Sequence, residues 1–198
     1  MPRPGQPCAL LAAESRFGSV VTLGHDQVLG EFWRWACSDL IDNRTRSIFG
    51  EFLVGYALGC LEGRRLEWSC YDLLYNDVRI EVKTSGYVQT WHREGFSNIK
   101  FGIAAAKNGW DARVNDWVGP GPHADVYVFC VHTQKERDKA AQFDVSDWDF
   151  YVVATSELMA AFPGWRTIGL TNLRRITSAV SISELKQAVD LAAAKRVG

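Results

Sequence analysis

No stretch of this chain is apolar for long enough to span a membrane, and the run Ala9–Ala13 is too short for the core of a signal peptide. The cysteines offer no metal motif. The five (Cys8, Cys37, Cys60, Cys70 and Cys130) are odd in number, widely scattered and never form a CxxC pair, which argues against structural zinc. Reduced thiols in a soluble, intracellular, cytoplasmic protein are the better reading. An excess of positive charge is missing too. Lys and Arg number 22 against 23 Asp and Glu, so any contact with nucleic acid must come from local clustering of charge. There are no repeats and no low-complexity segment.

What is present is an ordinary globular composition, 47% hydrophobic and 23% charged over 198 residues, enough for one domain (1–198) with a substantial core. Residues 1–8 read as a loose tail. "EFWRWACSDLID" reads as a helix ending near Asp42. A second helix is expected in "RSIFGEFLVGYALGCLEG", where Phe49, Phe52, Leu53, Tyr56, Ala57, Cys60 and Leu61 recur at helical spacing. That segment is apolar or small nearly all round, which predicts a buried helix. Strands follow in "LEWSCYDLLY", "VRIEVKTS" and "SNIKFGIAA", then a loop at "WDARVNDWVGPGPH". The continuous run "ADVYVFCVHT" predicts a central strand covered on both faces. The tail supplies a strand at "WDFYVVA", a short helix from Ser156, a strand at "RTIGL", and a last helix from Ser181 with a Ser181–Glu184 capping box. The fold class is α/β (α+β) around one mixed sheet.

The charges in "YDLLYNDVRIEVKTS" stand out. With Asn76-Asp77 as a two-residue turn, Tyr75 faces Val78, Leu74 faces Arg79, and Asp72 faces Glu81. Opposed Cβ atoms lie about 4.5–5.5 Å apart. Alternation puts Lys83 beside Glu81, while Tyr71, Leu73, Tyr75, Val78, Ile80 and Val82 form an apolar face. Two opposed carboxylates need a cation between them, either Lys83 or a divalent metal such as Mg²⁺. A solvated hairpin face with a local ion pair is the bland alternative.

Glu51 is the sole charged residue between Ser47 and Leu61. A buried carboxylate requires a partner. Gly55 and Gly59, on the same side, would let the helix approach its neighbour closely. Glu51 either joins the Asp72–Glu81–Lys83 group, surfaces at a helix end, or pairs with Arg46 or another arginine.

Taken together, "FGEFLVGYALG", "YDLL" and "RIEVKTS" resemble the PD-(D/E)XK nuclease superfamily, the restriction-endonuclease-like fold. The likeness covers Ser47 to Ser85, and the family's αβββαβ order can be followed to Thr133, with 134–198 as a C-terminal strand and helix extension. Tyr71 stands where the name-giving proline would be, and the gap from Asp72 to Glu81 is short, as a tight hairpin allows. The resemblance implies a Mg²⁺- or Mn²⁺-dependent deoxyribonuclease, an endonuclease, with DNA as partner, no membrane, and a homodimer among its allowed assemblies. It makes Asp72 and Glu81 metal ligands, Glu51 a support for the metal or its water, and Lys83 the residue that orients or deprotonates the attacking water. A non-catalytic nucleic-acid-binding or assembly module on the same fold is the alternative.

Ser85 and Gln89 continue the parity of Lys83 and could extend the site towards substrate, or form a hydrogen-bonded pair at a strand end. Arg93, Lys100, Lys107 and Arg113 could contact phosphates. Arg174-Arg175 is a weaker version of the same idea. Eight tryptophans are present; Trp91, Trp110 and Trp117 could stack on bases, although loop anchoring serves equally. His92, His123 and His132 have no ligand spacing.

Overall fold

The computed structural model describes residues 26–61, 65–91, 94–142 and 144–196. The expected tail, 1–8, lies outside them. The chain divides into two units, 1–39 and 40–198. Within the described part of the first lies α1 (Asp26–Cys37), on which Phe32, Trp33 and Trp35 are all exposed. It stops short of Asp42 because that residue starts the next helix instead. The Asp42 carboxylate accepts from the Arg44 and Thr45 N–H groups at 3.0 and 3.1 Å, which satisfies two N–H groups left open at a helix start.

The second unit runs α2 (Asn43–Leu58), β1 (Leu73–Tyr75), β2 (Val78–Gly86), β3 (Lys100–Gly102), β4 (Gly109–Asp111), β5 (Asp116–Val118) and β6 (Val126–His132). It continues through α3 (Arg137–Ala140), a 3₁₀ turn (Val145–Asp147), β7 (Trp148–Ala154), α4 (Thr155–Ala161), β8 (Thr167–Gly169), α5 (Leu170–Leu173), β9 (Ala179–Val180) and α6 (Ile182–Ala193). Five strands form a mixed sheet in the order β1-β2-β6-β7-β9, in which β2 and β6 are the parallel pair. Every residue of β6 is buried, as expected for a strand covered on both faces. No helix of the described residues is long and apolar enough to cross a membrane.

Alternation along the strands sorts the core into two layers. Val78, Ile80, Val82, Val126, Val128 and Cys130 face α2 and α6. Tyr127, Phe129 and Val131 face the other way, onto β3, β8, α4 and α5. Several expectations are corrected here. The segment 134–198 is no appendage, since Trp148, Phe150 and Val152 of β7 and Leu185 and Val189 of α6 complete the first layer. The strand read in "SNIKFGIAA" lies outside the main sheet, paired with β8. The stretch read as a loop at 110–123 contains the β4–β5 hairpin, with Trp110 paired to Trp117. Between β3 and β6 the described chain forms that hairpin and no helix, unlike the αβββαβ order.

α2 is buried on one side alone. Leu53, Val54 and Leu58 reach the core, whereas Phe52 and Tyr56 are exposed and stack at 6.0 Å. The face against the sheet is the small-residue one. A Cβ at Gly50 would collide with Thr84 Oγ1, and one at Gly55 with Leu61. Gly59 ends the helix in the left-handed region at φ 67, its N–H returning to the Gly55 and Tyr56 carbonyls. The helix therefore stops five residues before the end of the predicted segment.

Candidate active site

The hairpin forms as its turn residues dictate. Asn76 and Asp77 have φ 47 and 60, the left-handed pair that a type I′ turn needs. Tyr75 pairs with Val78, Leu74 with Arg79 and Leu73 with Ile80, in the predicted register. Beyond Leu73 the ladder departs from regularity. The Asp72 N–H donates to the Ile80 carbonyl at 3.0 Å, and its carboxylate Oδ2 accepts from the Val82 N–H at 2.7 Å. In a regular antiparallel ladder that N–H would go to the Tyr71 carbonyl. The Asp72 side chain takes the carbonyl's place and is thereby fixed against β2, with Oδ1 accepting nothing from the described residues.

Glu81 and Lys83 project from the face of β2 away from α2, in register with Tyr127 and Phe129 of β6. The Lys83 ammonium donates to Glu81 Oε1, and the two side chains are 35% and 19% exposed. Asp72 feels the whole group. Burial, then the Glu81 charge, then that of Glu51 push its carboxyl from 3.8 up to about 7, against the opposing pull of the Val82 N–H and Lys83. Burial, with Glu81 and Asp72 adding to it, likewise raises the Tyr127 phenol to about 12. The charges of the other three residues singled out in the sequence, Glu81, Glu51 and Lys83, thus all act on Asp72.

Glu51 comes to this group with a partner that the sequence did not reveal. Arg65 donates from Nη2 to Glu51 Oε1 at 2.8 Å and from Nε to Oε2, while its Nη1 reaches Glu67. Hydrogen bonds to Glu51 lead the causes that raise the guanidinium pKa above its ordinary value. Glu51 itself is buried. Of the partners weighed for it, an arginine other than Arg46 is the one found. Arg46 is buried at the opposite end of the strands, donating to the carbonyls of Leu40, Ile41 and Val88 at 3.0, 2.9 and 2.5 Å. Glu51, Arg65 and Asp72 line a cleft of about 970 Å³, walled by Phe52, Leu66 and Leu74 and reaching Arg113. Glu81 and Lys83 do not line it, so the carboxylate group straddles the sheet edge.

Comparison of the chain with family models, with curated proteins and with solved structures finds no match. The chemistry of the site has to be argued from its own residues.

The outlying candidates fall in several places. Ser85 sits half-buried on β2 opposite Val131. Gln89 lies beyond the strand end at Gly86, where alternation no longer applies, and is buried. Its Nε2 donates to the Gly86 carbonyl at 3.0 Å and its Oε1 accepts from Arg46 at 3.4 Å. Arg93 lies outside the described residues. Lys100 is exposed on β3, and among the described residues no hydrogen bond or ion pair ties it to the carboxylates. Arg113 lies 3.8 Å from Asp111 and 3.9 Å from Asp77. Arg174 donates to the Tyr151 hydroxyl at 2.9 Å. Trp91 and Trp117 are exposed, whereas His132 is buried in a stack on Trp148 at 4.8 Å.

The fit to a metal ion follows from the donors. Among the described residues no three His, Cys, Asp or Glu side chains converge closely enough to hold an ion by themselves. Mg²⁺ keeps several waters and is commonly held through one or two carboxylates. Asp72, with Oδ1 open, and Glu81, with Oε2 beyond the Lys83 contact, fit that demand. Glu51, with both oxygens on Arg65, does not offer a ligand in this arrangement.

Proposed function

We propose that the protein is a Mg²⁺- or Mn²⁺-dependent endonuclease of PD-(D/E)XK type that hydrolyses phosphodiester bonds in DNA. The observation that carries this reading is the Asp72 carboxyl, pinned to the Val82 N–H with its other oxygen open and driven up to about 7 by burial first and then by the charges of Glu81 and Glu51. Such crowding of like charge, at the edge of an open cleft, costs stability and marks a place for a cation. Asp72 and Glu81 would hold the ion. Bound there, it would acidify a water and stabilise charge on the phosphate. Lys83, held by Glu81, orients that water and adds positive charge where negative charge develops. Asp72 is kept in place by its bond to Val82 N–H, so its geometry depends on backbone and not on a mobile neighbour.

A non-catalytic DNA-binding module is the second reading. It is favoured by the pairing of Glu51 with Arg65 and of Glu81 with Lys83, which neutralises two carboxylates without any metal. The separating experiment is cleavage of plasmid, linear, branched and single-stranded DNA in Mg²⁺, Mn²⁺ and EDTA by wild type and Asp72→Asn. Metal-dependent cleavage that Asp72→Asn abolishes supports the nuclease. Binding of DNA with no cleavage of any form selects the module.

A further inference from the structure

Arg65 is accounted for by no motif, and its donors are not all used. A guanidinium carries five N–H donors in a rigid plane. Nε and Nη2 bind the two oxygens of Glu51 and Nη1 binds Glu67, which leaves two N–H groups with no acceptor among the described residues. The Arg65 side chain is 33% exposed and faces the cleft that Asp72 lines, while the Glu51 side chain is 11% exposed. Glu51 rides on the helix that Gly50 seats tightly on β2. The acid is buried and fixed, and the cation is what the cleft meets.

The geometry points to Arg65 as a ligand for a backbone phosphate of the DNA, with Glu51 as its positioning residue and not a metal ligand. This rests on the nuclease reading and adds to it the group that seats the substrate beside Asp72. A planar fork matches two oxygens of a phosphate, and a carboxylate fixing its far edge removes most of the rotamer freedom that binding would otherwise cost. Glu67, 60% exposed, is the weaker of the two partners and the one a phosphate would displace. If the pair merely fastened the 59–67 connection to α2, its loss would affect folding but leave phosphate recognition untouched.

The test uses wild type, Arg65→Gln, Arg65→Lys and Glu51→Gln, each checked for folding by thermal melting with and without Mg²⁺. Affinity for a labelled duplex oligonucleotide is measured in Ca²⁺ across a salt series, and single-turnover cleavage in Mg²⁺. Each phosphate contact contributes about 0.9 to the slope of log K against log salt, so Arg65→Gln should lower that slope by about one. Its cleavage should fall about 10²-fold. Arg65→Lys should keep the slope but recover little of the rate, because it keeps the charge and loses the fork. Glu51→Gln should keep the wild-type rise in melting temperature with Mg²⁺ while cleaving more slowly. An unchanged slope in folded Arg65→Gln overturns the assignment, and the nuclease reading survives if wild type still cleaves. Loss of the Mg²⁺ response in Glu51→Gln returns Glu51 to the metal and also overturns it. Should Arg65→Gln not fold, Arg65→Lys decides: cleavage at the wild-type rate removes Arg65 from the site. A wild type that neither binds nor cuts DNA removes both proposals.

Discussion

Asp72, half-buried, and His132, buried, are titratable side chains driven in opposite directions. Asp72 titrates at about 7 in the folded protein against an ordinary 3.8. The folded state therefore holds more protons between these values, and stability falls as pH rises through that window, by about 4 kcal/mol in all. His132 titrates at about 4 against an ordinary 6.5, because burial and then Arg46 disfavour its charged form. Here the unfolded state holds more protons, so the stability present above 6.5 is lost as pH falls towards 4, by about 3 kcal/mol. The two slopes oppose each other over most of the same range. Metal-free wild type should be nearly flat in stability between about pH 4 and 6.5 as far as these groups decide it. Asp111 and Asp125, held below the usual carboxylate range despite burial by hydrogen bonds that include Arg113 N–H and Arg79, act at lower pH. Asp72→Asn retains an acceptor for Val82 N–H and cannot ionise, so its stability should climb with pH, ending on the order of 2–4 kcal/mol above wild type near pH 8. His132→Phe keeps a ring on Trp148 and cannot ionise, which leaves the Asp72 titration, so its stability should fall as pH rises. Urea titrations in EDTA across this range measure both, and an Asp72→Asn profile parallel to that of wild type would show that the Asp72 carboxyl is not raised in the folded protein.

At the level of elements, the seating of α2 on β2 depends on the missing side chain at Gly50. A methyl there collides with Thr84 Oγ1, with Thr84 Cγ2 at 3.4 Å beside it, so the threonine side chain must shift to admit it. Alanine improves helix propensity by about 1 kcal/mol, whereas overpacking a well-packed contact costs about 1–3. Gly50→Ala should therefore be destabilised by about 1 kcal/mol. Thr84→Ala alone should cost little through hydrogen bonding, because Thr84 Oγ1 is buried without a partner. The double variant should recover the loss, with a coupling above about 1 kcal/mol by denaturant melts. Purely additive effects would mean that the two elements do not touch as described. The same elements explain what was legible in the chain. The β1–β2 register could be read because Asn-Asp tolerates the two left-handed conformations and strand alternation is strict, and α6 because Ser181 and Glu184 sit at capping-box spacing. Less legible was the width of α2's buried face: Phe52 and Tyr56 stay outside because Gly50 and Gly55 bring the opposite side against β2 and its surroundings. The β4–β5 hairpin escaped because Gly, Pro and Trp read locally as loop, while its pairing depends on Trp110 meeting Trp117 across the turn. Arg65 escaped for a different reason. It lies 14 residues from Glu51 in the chain, past the end of α2 at Leu58, and helical periodicity carries no position beyond a helix end.

Within the second unit, the proposed site draws on α2, the hairpin and the parallel β2–β6 pair together, and Lys83 is the residue through which this arrangement can be tested as chemistry. Its ammonium is held by Glu81, and both rest on a strand whose next neighbour, β6, is buried throughout. Lys83→Ala leaves Asp72 and Glu81 in place but removes the positive charge that partly relieves their repulsion. Mg²⁺ should therefore still bind, and its stabilisation, which grows by mass action with the concentration of free ion, should be as large as in wild type or larger. On the proposed nuclease reading cleavage should behave differently, because the charge proposed to stabilise the reacting phosphate and orient the water has gone. The loss expected for one such contact is about 10²–10³ in single-turnover rate, roughly 2.7–4 kcal/mol of transition-state stabilisation. Affinity for DNA should fall far less, since the contact matters most as charge develops. Lys83→Arg should not restore the rate: a wide guanidinium beside Glu81 would bind it at two points and could not take the position of a compact ammonium. The measurements are single-turnover cleavage in Mg²⁺, affinity for the same duplex in Ca²⁺, and melting temperature against Mg²⁺ concentration. If Lys83→Ala cleaves as fast as wild type, Lys83 serves only to neutralise Glu81. If the Mg²⁺ response vanishes together with the rate, Lys83 acts by keeping Glu81 in position for the ion, and its place in the chemistry is one step removed from the phosphate.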